Sequence, residues 1–129
     1  MDEAFDRALE LLGSYEEELR SELPENAEIF DAHVHLGNDI DGFSGVYEEL
    51  ERIFDRFGIS RGFMFCMDEP DRHPGFRAPN DRTLEHGKRS EGRFIPFVRL
   101  DLTEDPIGEA ERCLDQGARG IKLHPRAQR

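Results

Sequence analysis

The sequence predicts an α/β domain in which four strands of a parallel sheet alternate with three helices, behind one further helix at the N-terminus. Three observations carry this reading. Phe63 to Met67 is an unbroken apolar run, and such runs suit a strand covered on both faces, as in a parallel sheet. Segments with apolar residues at helical spacing separate each strand from the next. The strand starts recur about every 30 residues, the size of a βαβ unit, and this alternation implies parallel pairing through crossovers.

Each element has its own local reason. Residues 2–22 place Ala4, Phe5, Ala8, Leu11, Leu12, Tyr15 and Leu19 near a 3.6-residue period, an amphipathic helix that Pro24 stops. The organisation is therefore a helical segment, 1–24, followed by an α/β unit, 25–129. Residues 28–33 form the first strand, and Gly37 to Gly45 a loop rich in turn formers. Ser44 caps a helix over 45–57 with Val46, Leu50, Ile53, Phe54 and Phe57 on its apolar face, and Gly58 ends it. The second strand spans 61–67, and a loop with Pro70, Pro74, Gly75 and Pro79 follows. Asn80 is placed to cap a helix that begins at residue 81. The third strand is 94–100. Asp105 caps a helix with Pro106 in its first position, closed by Gly117. The fourth strand is 119–124, and Pro125 ends it.

Composition narrows the function classes. The chain has 129 residues, 36% apolar and 36% charged, enough for one domain with a modest core. A net charge of −12 argues against nucleic acid and anionic membranes as partners; a small-molecule substrate is the expected partner. No apolar run approaches the length of a bilayer span, and the opening Met-Asp-Glu-Ala lacks the basic and apolar regions of a signal peptide, so the cytoplasm is the expected location. Cys66 and Cys113 lack metal-type partners at short spacing and read as two buried, reduced thiols.

The chemistry concentrates in two segments. In Asp31-Ala32-His33-Val34-His35, alternation along a strand sends His33 and His35 to one side. Two imidazoles so placed can converge on one divalent ion, zinc first, with iron or manganese as alternatives. The segment opens into a Gly/Asp loop at a strand's carboxyl end, where parallel α/β folds hold their sites. In Gly120-Ile121-Lys122-Leu123-His124-Pro125, Ile121 and Leu123 share one face and Lys122 and His124 the other, so Lys122 and His124 are candidate catalytic residues. Three readings of Lys122 stand: a carbamate bridging two metals, a cation for a substrate carboxylate or a protein acid, or a side chain reaching solvent. Among lesser candidates, Asp31 orients a ligand histidine or merely starts the strand. His73 contacts substrate or solvent, His86 is a surface residue, and Arg99 meets a substrate carboxylate or pairs with Asp101.

Phe30 to Gly37, Gly117 to Pro125, and Ala78-Pro79-Asn80-Asp81 with Gly92 to Phe97 together resemble the amidohydrolase-related family of metal-dependent hydrolases. The resemblance covers roughly residues 28–129. It implies the N-terminal half, four strands, of a (β/α)8 TIM-like barrel with an extra N-terminal helix. It also implies His33 and His35 as metal ligands, and it puts the lysine of carbamate-bearing members at or near Lys122. Such a barrel needs about 250 residues, so a fragment of a longer coding sequence is expected. The alternatives are two copies closing one barrel as a homo-oligomer, and a truncated gene with an unstable product. The implied activity is hydrolysis of an amide, ester or lactone by metal-activated water. The runner-up is metal-dependent, non-oxidative decarboxylation, and the reading of another class is a non-catalytic half-barrel.

Overall fold

A computed structural model describes residues 3–124. The elements run α1 (Glu3–Glu22), β1 (Ile29–Asn38), β2 (Ser44–Gly45), α2 (Tyr47–Phe57), β3 (Ile59–Cys66), α3 (Arg77–Arg89), β4 (Phe94–Arg99), α4 (Pro106–Asp115) and β5 (Gly120–Lys122). They build one sheet in the order β2-β1-β3-β4-β5. β1, β3, β4 and β5 pair in parallel, each with the next in sequence, and β2 folds back antiparallel on the end of β1. The chain is thus α/β with a mostly parallel sheet, and those four strands are the expected ones.

Several boundaries differ from the sequence reading. β1 continues to Asn38, because the Gly37 to Gly45 segment is a hairpin and not a free loop. Gly37 opposes Gly45, and the turn closes through Asp39 N–H to the Phe43 carbonyl at 2.7 Å. Ser44 therefore lies in a strand, and the residue before α2 is Val46, which supplies no side-chain cap. α3 begins at Arg77, four residues early, so Asn80 is inside the helix and is not its cap. The expected cap at Asp105 does form, its carboxylate accepting from Gly108 N–H behind Pro106. Gly58 ends α2 with φ 64°, the left-handed conformation that glycine adopts without a Cβ clash. The expected helix start at Asp2 and the stop at Pro125 lie outside the described residues.

The helices α2, α3 and α4 cover one face of the sheet. Val34, Leu36 and Met64 point into that layer and pack with Tyr47, Phe54 and Phe94, all buried. Leu84, Val98, Cys113 and Ala118 form a second cluster under α3 and α4. Burying each large apolar side chain contributes about 1.5–3 kcal/mol, and these clusters fix the strands against the helices. α1 buries none of its residues; Leu12 is 64% exposed. Among the described residues no helix is long and apolar enough to cross a membrane.

Candidate metal centre

The opposite face of the sheet carries the histidines. β1 and β3 are out of step between Asp31 and Val34: Asp31 pairs with Gly62 and Val34 with Met64, so β1 holds one extra residue there. A bulge of this kind re-aims side chains. Asp31 fixes it locally, its Oδ1 accepting the His33 backbone N–H at 2.9 Å. Of the two roles open to Asp31, this is neither: it orients the backbone of a histidine, not the ring.

Beyond the bulge Val34 and Leu36 enter the helix-side core, while His33 is exposed and His35 half-buried. The two imidazoles converge, with Nε2 atoms 2.9 Å apart and ring centroids 4.9 Å apart. At that separation the nitrogens share either one proton or one ion. Zinc–nitrogen bonds are about 2.0–2.1 Å, so a single ion can reach both.

Phe65, in register with His35 on β3, is the platform of the site. Its ring lies edge-on to His33 at 5.1 Å and to His35 at 5.0 Å between centroids. Lys122 from β5 sets its Nζ 4.9 Å from the same ring centroid. The structure thus brings His33, His35 and Lys122 together around one aromatic ring. His124 is exposed, two residues past the end of β5. Ile121 and Leu123 are exposed as well, 42% and 52%.

Electrostatics favour a neutral His35. Burial lowers its pKa, and the neighbouring His33, Lys122 and Arg99 push the same way against the opposing effect of the Cys66 backbone. Its Nδ1 is buried without a hydrogen bond of good geometry. A neutral ring with Nε2 turned toward a second imidazole is the form that coordinates an ion.

Other candidates are placed differently from the sequence reading. His86 is not a plain surface residue: its ring stacks on Tyr47 with centroids 4.9 Å apart and planes 17° apart. Arg99 does not pair with Asp101. The Asp101 carboxylate accepts from the Thr103 backbone N–H and hydroxyl, at 2.9 and 2.7 Å. The Arg99 guanidinium carbon lies 4.6 Å from the Phe76 ring centroid. His73, exposed, stands 3.7 Å from Asp101 and 3.6 Å from Glu104 through Nδ1, a second grouping of metal-type ligands. Sequence reasoning missed this trio and the role of Phe65. Phe65 could have been found, since it occupies the inward phase of an apolar strand.

Both cysteines are free and buried, as expected. Burial pushes each thiol up to about 12, and at Cys113 the hydrogen bond to Glu109 adds to it. Neither is a nucleophile at neutral pH. Compared with family models, curated proteins and solved structures, the chain matches none of them.

Proposed function

We propose that this chain carries part of the active site of a metal-dependent hydrolase of the amidohydrolase type, with His33 and His35 holding a divalent ion. The observation that carries the reading is the 2.9 Å approach of the two Nε2 atoms on the uncovered face of a parallel sheet. The sheet order, with β1, β3, β4 and β5 as successive parallel neighbours, supports placing these strands as one half of a (β/α)8 barrel.

When bound, the ion supplies Lewis acidity: it acidifies a water molecule and polarises the carbonyl under attack. The chain's own residues prepare the place. The bulge secured by Asp31 aims the two rings at each other. Desolvation keeps His35 neutral and able to donate its lone pair. Lys122 sets its Nζ over Phe65 beside the two imidazoles, within reach of a bound substrate. His124, exposed two residues past the end of β5, is kept as the candidate catalytic residue beside Lys122.

The experiment is a hydrolysis screen of ester, amide and lactone substrates with zinc, manganese and iron(II). In a protein with all eight barrel strands, turnover is expected only with metal, lost with a chelator and lost in His33→Ala/His35→Ala; this chain, with four of them, is expected to be inactive alone. Turnover that survives both would refute the assignment. The position of Arg99 and Lys122 also suits a decarboxylase, and release of CO2 from a carboxylic acid in place of hydrolysis selects that reading.

A further inference from the structure

Arg99 closes β4 and is only 4% exposed, and its Nε is buried without a hydrogen-bond partner among the described residues. Phe76 offers it the face of a ring but no acceptor. A buried arginine ordinarily meets a carboxylate, because an unpaired buried cation is costly. Elsewhere this chain pairs its buried charges: the buried Glu69 meets Arg82 and the buried Glu109 meets Arg112, both at 2.7 Å. Acids are in surplus, 29 against 17 bases. Even so, among the described residues no carboxylate forms an ion pair with Arg99.

Lys122 repeats the pattern. It stands in register with Arg99 on the next parallel strand, so the two side chains leave the same face of the sheet. It is half-buried, and among the described residues it too meets no carboxylate. Its ammonium lies over Phe65, the ring that also touches His33 and His35. Two adjacent basic side chains, without an acid among the described residues, therefore sit beside the imidazole pair, on the face the helices leave uncovered.

We propose that Arg99 and Lys122 form a carboxylate-binding subsite, so that the substrate keeps a free carboxylate apart from the bond being broken. This rests on the reading of His33 and His35 as the metal-holding pair. A planar carboxylate presents two oxygens, which a guanidinium edge including Nε–H and one ammonium can meet. Phosphate, with more oxygens to satisfy, is the competing ligand in the test.

The test is nuclear magnetic resonance on the full chain with zinc added, observing the Arg99 Nε–H signal and the ring nitrogens of His33 and His35. Benzoate, benzamide and inorganic phosphate are titrated separately. Benzoate is expected to shift the Arg99 signal saturably, and benzamide to leave it unmoved. Lys122→Met should weaken benzoate by about tenfold or more, as for one lost charge-assisted hydrogen bond. Arg99→Met should abolish the binding; if that variant does not fold, the wild-type signal and Lys122→Met decide. No shift with benzoate, or phosphate binding as tightly as benzoate, overturns the subsite. The histidine signals report zinc independently. Zinc bound without any benzoate effect defeats the subsite alone, whereas benzoate bound without zinc upholds the subsite and defeats the metal reading.

Discussion

Asn80 grips the backbone of Arg99 with both ends of its carboxamide: Arg99 N–H donates to Oδ1 at 2.9 Å, and Nδ2 donates to the Arg99 carbonyl at 2.8 Å. The side chain thus stands in for a neighbouring strand at the very end of β4. Nδ2 also reaches Glu109 at 2.9 Å, so one fully buried amide ties α3, β4 and α4 together. Replacing it by leucine leaves two buried backbone groups of Arg99 unpaired. Asn80→Leu is expected to cost about 2–4 kcal/mol, read as a lower urea midpoint with an unchanged slope. A loss below about 0.5 kcal/mol, the level of an ordinary surface substitution, would contradict this role.

Glu109 gives the fold an acid-sensitive point. Burial alone would raise its carboxyl, but Arg112, Asn80 and Cys113 donate to it and hold it at about 2, below its usual 4.5. A depressed carboxyl stabilises the fold fully above its unfolded pKa, and the contribution fades as pH falls toward the folded one. The window is therefore pH 4.5 down to about 2, and the effect is about 3 kcal/mol. In chemical unfolding across this range, wild type should lose that much of its lead over Glu109→Gln. A lead independent of pH would show that the carboxylate is not specially stabilised.

The thiols should be silent in the native state. Cys66 and Cys113 are both buried with pKa values pushed up to about 12. At pH 8, Ellman's reagent should modify neither until the protein unfolds, and both should react at once in urea. Rapid native labelling of either one would contradict the packing of that part of the core.

Much of the architecture was legible because it depends on local signals. Apolar runs, helical spacing, Gly58 and the Asp105-Pro106 pair act over a few residues, and they located the four parallel strands and the ends of α2 and α4. What escaped depends on contacts distant in sequence. Asn80 has the chemistry of a helix cap, but its carboxamide is used 19 residues away on Arg99. The bulge at His33 arises from the register against β3, which no pattern within β1 reveals. His86 reads as a surface residue from its charged neighbours Lys88 and Arg89, yet Tyr47 from another helix covers its ring. That His33 and His35 leave one side of the strand was legible from their spacing. Their union with Lys122 through Phe65 required the order of the strands.

The most direct measurement is metal content. The full chain, dialysed to equilibrium against buffer that contains millimolar zinc, should carry about one ion per molecule through both imidazoles, and metal-free buffer should strip it, since two ligands fall short of the usual three. His33→Ala/His35→Ala should carry almost none while keeping its far-ultraviolet circular dichroism. Wild-type protein without zinc at that equilibrium, or a double variant that holds as much as wild type, would contradict the histidine pair as a metal centre.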